Sequence, residues 1–137
     1  MSLTEIATTD VITASPDDEI RSVLEQMRDE SVGSVVVTDD GPVGIVTDRM
    51  IAMAAVDADS MDDLTTEDVM TGDPITIDDD ATHFEAFETM SDEGIRRLPI
   101  VDDGELVGIV TLDDLLTLTA TELSYASDVI EQQSGSH

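Results

Sequence analysis

The sequence contains no cysteine, no lysine and no tryptophan, and aromatic residues make up only 2% of its 137 residues. Without cysteine the chain forms no disulfide and offers no thiolate nucleophile or metal ligand. No apolar stretch approaches the roughly 20 residues that a membrane-spanning helix needs. The first five residues also lack the basic region of a signal peptide. These absences predict a soluble protein of the cytoplasm.

Positive charge is scarce as well, because five arginines face 33 acidic residues and the formal net charge is -28. Such a surface repels phosphate backbones and anionic membranes, which argues against nucleic-acid and membrane partners. Asp outnumbers Glu by 22 to 11, a bias that fits the acidic surfaces of extreme halophiles. In molar salt the Debye length is about 3 Å, so the carboxylates are screened from one another. A disordered chain is disfavoured, since 40% of the residues are hydrophobic.

The most informative feature of the chain is an internal repeat. The segment Asp10–Thr47 aligns with Asp73–Thr111 at an offset of 63, with one inserted residue, Glu105. Sixteen of the 38 aligned pairs are identical, whereas chance gives about two or three. Two copies of one unit therefore follow one another in the chain.

Each copy is predicted to fold in the order β-α-β-β-α. A short strand, Val11–Ala14 or Ile75–Ile77, leads into a helix whose start is predicted at Ser15 and Pro16 in copy one and at Asp78 in copy two. Asp-Gly pairs at 40–41 and 103–104 then predict hairpins. The apolar helix positions are Ile20, Val23, Leu24 and Met27 in copy one and His83, Ala86, Phe87 and Met90 in copy two. The hairpin strands are Ser34–Thr38 and Val43–Thr47 in copy one, and Arg97–Val101 and Leu106–Val110 in copy two.

A second helix closes each copy, at about Asp48–Val56 and Leu112–Ser124. We predict repeat 1 at residues 1–56, a linker at 57–66 with a helical turn near Thr66–Met70, repeat 2 at 67–131 and a flexible tail at 132–137. A unit of about 55 residues buries too little apolar surface to be stable alone. The fold class is therefore α/β (α+β), with two repeats packed by pseudo-two-fold symmetry around one shared core and with clefts between them.

Each copy resembles a CBS domain, and the pair resembles a stand-alone Bateman module. In copy two the resemblance is carried by four motifs: Asp68-Val-Met70, Pro74-Ile-Thr76, Gly94 through Gly104, and Leu106 through Asp114. In copy one it is carried by Asp10-Val-Ile-Thr13, Val35-Val-Val37, Asp39-Asp-Gly41 and Val43 through Arg49. The resemblance implies a regulatory module that binds AMP, ADP or ATP between its repeats, with S-adenosylmethionine or NAD as alternatives. It also implies a signal to a separate, unidentified effector protein.

The family motif Gly-h-h-Thr/Ser-x-x-Asp/Asn, in which h is apolar, is intact in copy two as Gly108 through Asp114. The resemblance implies that Thr111 binds phosphate and that Asp114 accepts the ribose hydroxyls. Thr-x-x-Asp is also close to a helix-capping box, and that alternative stays open. Further ligand contacts are implied for Thr76, Ile77, Arg96, Arg97, Leu98 and Pro99.

Several alternatives accompany these assignments. Ile77 and Leu98 suit a core equally well, and Arg96 and Arg97 could pair with surface carboxylates. Strand alternation sends two adjacent side chains to opposite faces, so at most one arginine is expected to point squarely into a given cleft. His83 aligns with Ile20 and is expected to be a partly buried helix residue.

Copy one departs from the motif, because Met50 stands where the ribose carboxylate belongs and Gly33-Ser34 replaces the arginine pair. A weaker second site is therefore expected, formed by Thr13, Val35, Thr47 and Arg49. One occupied site per chain is predicted. No cofactor and no metal site are expected, since the run Asp78–Asp80 lacks the other ligands of an EF-hand loop.

The sequence offers no nucleophile and no catalytic arrangement of side chains, so an enzyme is not expected. An interaction scaffold that has lost its ligand is the main alternative to a sensor. Modules of this kind pair through their second helices, and an apolar second helix here predicts a homodimer. Its apolar residues are Leu112, Leu115, Leu116, Leu118 and Leu123.

Overall fold

The strands and helices alternate as the repeat predicts. A computed structural model describes the backbone of residues 2–135 and the side chains through Gln133. The elements are β1 (Thr13–Ala14), α1 (Ile20–Glu30), β2 (Ser34–Thr38), β3 (Pro42–Thr47), α2 (Asp48–Asp57), α3 (Thr66–Val69), β4 (Thr71–Gly72), β5 (Ile77–Asp78), α4 (His83–Glu93), β6 (Arg97–Asp102), β7 (Glu105–Thr111) and α5 (Leu112–Gly135). Short 3₁₀ turns lie at Leu3–Glu5 and Met61–Asp63.

Both hairpins form where the Asp-Gly pairs predict them. Strand β2 has the predicted bounds, β3 and β6 are longer than predicted by one residue at one end, and β7 is longer by one residue at each end. The turn residues Asp40, Gly41, Asp103 and Gly104 all have positive φ, at 55°, 122°, 54° and 83°. In copy two Asp102 pairs with Glu105, so Asp103 and Gly104 form a two-residue turn, whose positive φ at both positions matches the twist of paired strands. In copy one Thr38 pairs with Pro42, so the connection has three residues, 39–41.

Helix α1 begins later than Ser15 and Pro16 predict. The Asp18 carboxylate accepts a hydrogen bond from the Ser15 amide at 2.9 Å, and the Asp18 amide donates to the Ser15 carbonyl at 3.1 Å. These two bonds close a separate turn, so Ser15 is not the N-cap of helix α1. The helix starts at Ile20 instead. Its apolar face is as predicted, with Val23 and Met27 buried.

Helix α4 also begins later than predicted, because Asp78 belongs to strand β5. The cap is Thr82, whose hydroxyl accepts a hydrogen bond from the Glu85 amide at 3.1 Å. On this helix His83 is partly buried, as expected, and its Nε2 lies 3.4 Å from a carboxylate oxygen of Glu122 on α5.

Helix α5 runs to Gly135, well past the predicted end at Ser124. No glycine or proline stands between these two residues, so nothing in the sequence stops the helix. It therefore occupies part of the segment 132–137 that was predicted as a flexible tail, and residues 136–137 lie outside the described residues. Only part of the predicted interface of α5 is accessible. Leu115 is fully buried within the chain, whereas Leu116 and Leu123 are 51% and 65% exposed.

The strands form two sheets, one for each copy. In the first, β1 pairs with β2 in parallel, and β2-β3 and β3-β4 are antiparallel. In the second, β5 pairs with β6 in parallel, and β6 and β7 are antiparallel. Each sheet carries its own hydrophobic cluster. The prediction of a single core shared by both copies is therefore wrong.

Each copy completes its core with a segment from the other copy. Strand β4 lies within the predicted repeat 2 but pairs with β3, and the neighbouring Val69 is buried in the first cluster. Conversely, Leu3 is buried in the second cluster, and the Thr8 backbone exchanges hydrogen bonds of 3.1 and 2.9 Å with Ile109. This exchange supplies the apolar surface that a copy of about 55 residues lacks. Each hydrophobic cluster thus includes residues from both sides of the predicted linker at 57–66.

The exchange also explains the glycine that opens the motif in each copy. A Cβ on Gly44 would lie 2.5 Å from the sulfur of Met70 and 2.9 Å from the carbonyl oxygen of Thr71. A Cβ on Gly108 would lie 3.1 Å from the carbonyl oxygen of Thr8. The glycines therefore let the exchanged segments approach β3 and β7. None of the described helices is long and apolar enough to span a membrane.

Candidate functional site

A cavity of about 370 Å³ lies where the end of copy one meets the start of the copy two hairpin. Strand β3 contributes Ile45 and Thr47, and β4 contributes Thr71. The remaining wall comes from the connection into β5 and from the residues that open β6. Its lining from these two segments is Asp73, Pro74, Ile75, Ile95, Arg96 and Arg97.

Two arginines without partners mark this cavity. Among the described residues, Arg21 and Arg28 each have an aspartate at 2.8 and 3.2 Å. By contrast, Arg49, Arg96 and Arg97 form no ion pair within 4.0 Å in that part of the chain. The pairing with surface carboxylates that the sequence left open for Arg96 and Arg97 is therefore not seen. In a chain of net charge -28, a cavity lined by two arginines that have no ion-pair partner is suited to an anion.

Both arginines line the same cavity, although strand alternation turns two adjacent side chains of one strand to opposite faces. Strand β6 begins at Arg97, so Arg96 precedes the strand and the alternation rule does not govern it. The Arg96 carbonyl accepts a hydrogen bond from the Leu112 amide at 2.8 Å, which holds this segment beside the start of α5.

The arginines of copy two meet Thr47 of copy one, a residue that the sequence assigned to the weaker second site. The Thr47 hydroxyl caps helix α2 by accepting a hydrogen bond from the Met50 amide at 3.2 Å. The repeat had grouped residues by copy. The structure instead builds this cavity from both copies, because β3 and the start of β6 approach one another across the interface.

Thr111 and Asp114 form the capping box that was the alternative to ligand binding. The Thr111 amide donates to the Asp114 carboxylate at 3.0 Å, and the Asp114 amide donates to the Thr111 hydroxyl at 3.1 Å. Thr111 also lines a depression of about 60 Å³ beside Arg96 and Arg97. Asp114 lines neither this depression nor the larger cavity.

Three other residues predicted to contact a ligand are buried. The side chains of Ile77 and Leu98 pack in the second hydrophobic cluster, which is the core alternative stated for both. Pro99 is buried next to them on β6. The structure therefore places these three in the interior of copy two rather than on the cavity wall.

Thr76 is exposed and lines a neighbouring cavity of about 420 Å³, which shares Asp73 and Pro74 with the first. Of the predicted second site, Val35 is buried in the first hydrophobic cluster. Thr13 and Arg49 are exposed and do not line the 370 Å³ cavity. The structure thus brings Thr47 to the arginines and leaves the other three members of that set apart.

Sequence reasoning missed the residues that join the two sheets. Asp73, Pro74 and Ile75 form the connection from β4 to β5, and Ile45 and Ile95 lie opposite it. A usable signal was present, since Asp73 and Ile75 begin the second copy of the repeat, where the chain must pass between the two sheets. The sequence did not indicate that β4 pairs with β3.

The acidic run Asp78–Asp80 is tied to the exchanged N-terminal segment. Asp79 accepts hydrogen bonds from the Leu3 amide at its carbonyl and from the Thr4 amide at its carboxylate, at 3.4 and 3.1 Å. The charge of Asp78 raises the pKa of the exposed Asp80 carboxyl. The run therefore anchors backbone from the other end of the chain.

Comparison with known proteins gives a consistent result. The family model described as CBS domain matches residues 3–57 and 67–120. An uncharacterized protein of Methanopyrus kandleri is 42% identical over 120 residues, which cover 85% of this chain and 61% of that relative. The inosine-5'-monophosphate dehydrogenase of Methanocaldococcus jannaschii is 39% identical over 117 residues, or 82% of this chain and 22% of the enzyme. The chain thus spans less than two thirds of these two relatives.

Other relatives are closer in length. The CBS domain-containing protein YhcV of Bacillus subtilis is 34% identical over 115 residues, which cover 83% of this chain and 82% of that protein. Among solved structures, the CBS domain pair of protein MJ0100, in complex with 5'-methylthioadenosine and S-adenosyl-L-methionine, has a TM-score of 0.75 at 27% identity. That match covers 89% of this chain and 98% of the other.

Proposed function

The chain belongs to the CBS domain family, and from this premise we propose that it is a regulatory module that binds an adenine nucleotide between its two repeats. The observation that carries the proposal is that Arg96 and Arg97, neither of which forms an ion pair with a described residue, both line the 370 Å³ cavity. Cavities of about 300–1,000 Å³ are typical of small-molecule sites.

The lining suggests how a nucleotide would lie. The two arginines would hold phosphate oxygens through charge-assisted hydrogen bonds. Thr47, at the start of α2, lines the same cavity from β3 and offers a hydroxyl. The apolar side chains of Ile45 and Ile75 would contact the base, which is the usual division of labour in a ligand pocket.

The choice of an adenine nucleotide rests on two arguments. The related CBS pair of protein MJ0100 was solved with two adenosine-containing ligands, which supports an adenosine moiety. The arginines favour a ligand with phosphate over the cationic S-adenosylmethionine, because like charges repel. AMP, ADP and ATP are therefore proposed ahead of S-adenosylmethionine, and NAD, which also carries phosphate, is kept as an alternative ligand.

Regulation requires that the ligand bind two arrangements of the protein with different affinity. The cavity spans both copies, so a bound nucleotide would contact β3 and the start of β6 together and change their separation. We propose that this movement is passed to a separate effector protein and that the module turns over no substrate itself.

Isothermal titration calorimetry of AMP, ADP, ATP, NAD and S-adenosylmethionine tests the proposal. Roughly 2–3 M KCl would screen the acidic surface. We expect about one nucleotide per chain. Arg96→Ala or Arg97→Ala should weaken binding by about 10- to 100-fold, as for the loss of a hydrogen bond to a charged group.

The matched control is Arg28→Ala, which makes the same charge change at an exposed ion pair with Asp29. Its affinity should stay within about twofold of the unmodified chain. Equal losses in Arg28→Ala and Arg97→Ala would show a diffuse charge effect and refute the site. Absence of binding by every ligand in folded protein would favour the scaffold alternative, and ligand consumption would revive an enzyme.

Self-association is proposed on a different observation. The face of α5 exposes Leu116, Leu123 and Ile130, spaced seven residues apart, and the last two are 65% and 64% exposed. Such a stripe on a helix favours an interface. A homodimer should appear in sedimentation equilibrium in molar KCl, and Leu123→Glu should shift it toward monomer. A chain that stays monomeric at all concentrations would contradict this.

A further inference from the structure

Asp73 occupies a position that the proposed phosphate contacts do not use. It lies on the connection between β4 and β5 and lines both the 370 Å³ and the 420 Å³ cavities. It is the one acidic residue among the described residues that line the cavity with Arg96 and Arg97. The cavity lining therefore combines one acidic residue, on the connection into β5, with two arginines at the start of β6.

The carboxylate of Asp73 is free to accept hydrogen bonds. The residue is exposed, and its side chain makes no hydrogen bond or ion pair within residues 2–133. Its separation from both arginines exceeds the 4.0 Å limit of an ion pair, so the opposite charges do not neutralise each other. A ligand that offers donors at one end and an anion at the other would satisfy both.

The backbone holds Asp73 in place. Its φ is 48°, in the left-handed region, which Asp and Asn adopt more readily than most other residues. Pro74 follows and fixes its own φ near -65°. The carboxylate is thus presented from a defined backbone conformation between two sheets.

Neither copy of the family motif supplies a carboxylate to this cavity. The copy one motif has Met50 where the family pattern has a carboxylate. The Asp114 carboxylate of copy two is engaged by the Thr111 amide at 3.0 Å. The cavity therefore lacks the motif's own acceptor for sugar hydroxyls, and Asp73 is the acidic group that lines it.

We infer that Asp73 accepts hydrogen bonds from the ribose hydroxyls of a nucleotide whose phosphate is held by Arg96 and Arg97. This inference rests on the proposed function and adds a specificity to it, namely discrimination of ribonucleotides from 2'-deoxyribonucleotides. Such discrimination arises because a deoxynucleotide would leave the carboxylate without one of its donors.

The test compares AMP with 2'-deoxy-AMP, and ADP with 2'-deoxy-ADP, by calorimetry on the full chain. The unmodified protein should bind each ribonucleotide about 10-fold or more tightly than its deoxy form. Glycine adopts the left-handed backbone readily, so Asp73→Gly keeps that conformation and removes the carboxylate. The ratio of ribonucleotide affinity to deoxynucleotide affinity should then fall to about 1. Asp73→Asn keeps the backbone and the shape, and should reduce the preference only in part.

The readout is the ratio of the two affinities. Removing a negative charge near the arginines alters the binding of both nucleotides equally, so that effect cancels in the ratio. The matched control is Asp10→Asn, because Asp10 is the equivalent residue of copy one and does not line this cavity. The preference of Asp10→Asn for ribonucleotides over deoxynucleotides should equal that of the unmodified chain.

Two results would overturn the inference while leaving the proposed function intact. One is equal binding of AMP and 2'-deoxy-AMP by the unmodified chain. The other is an undiminished ribose preference in Asp73→Gly. If the unmodified chain binds no nucleotide at all, the proposed function fails and the inference fails with it, and this outcome is distinguished before any variant is made.

Discussion

Replacing Gly44 by alanine should destabilise the protein because an exchanged strand passes directly over this position. The Cβ would lie 2.9 Å from the carbonyl oxygen of Thr71 and 2.5 Å from the sulfur of Met70. The Met70 side chain can rotate away, but the Thr71 carbonyl is backbone and moves only if β4 shifts. Inserting a methyl group into such a packed site costs about 1–3 kcal/mol.

Gly72 provides a matched control for Gly44, because the two residues face each other in the β3-β4 register. A Cβ on Gly72 meets no atom within 4 Å, and its φ lies outside the left-handed region. Gly72→Ala should therefore be neutral or should stabilise the protein by up to about 1 kcal/mol, through the lower entropy of the unfolded chain.

Urea unfolding in molar KCl, followed by circular dichroism because the chain has no tryptophan, measures both variants. We expect Gly44→Ala to unfold at lower urea than the unmodified chain, and Gly72→Ala to unfold at the same or higher urea. Equal unfolding midpoints for the two variants would refute the proposed approach of β4 to β3. Since Thr71 also lines the cavity, Gly44→Ala should weaken nucleotide binding.

Three further predictions use the same unfolding assay. Asp114→Ala removes the carboxylate of the capping box and should cost about 1 kcal/mol; an unchanged midpoint would contradict the cap. Thr66→Val removes a buried hydroxyl that donates to the Asp18 carbonyl at 2.9 Å, and should also cost about 1 kcal/mol. Because Asp78 raises the pKa of the Asp80 carboxyl, ionised Asp80 opposes folding above that pKa. Asp80→Asn should therefore stabilise the protein at neutral pH, most strongly at low salt, and should lose this advantage in acid; a gain that persists in acid would refute the reasoning.

The hairpins were predictable because local chemistry determines them. The Asp-Gly pairs require positive φ and place the turn, and the alternating strands on either side follow to within a residue. Helix starts were harder, since Ser15 could cap a helix or close a turn with Asp18 and the sequence alone does not rank the two. Helix α5 continues beyond the predicted end at Ser124, because no glycine or proline stands between Ser124 and Gly135.

The candidate site was predictable in part for a different reason. Arg96, Arg97 and Thr47 stood out as motif positions, but the repeat grouped them by copy. The cavity joins them because β4 crosses to the other sheet, and that non-local pairing has no local sequence signal. Asp73 escaped notice for the same reason, since its importance depends on the two cavities that meet at its position.

A crystal structure of the chain grown with a saturating adenine nucleotide tests the proposed site most directly. We expect phosphate density beside Arg96 and Arg97, with the nucleoside in the 370 Å³ cavity between β3 and the start of β6. Nucleotide density at Thr111 and Asp114, with the arginine-lined cavity empty, would contradict it.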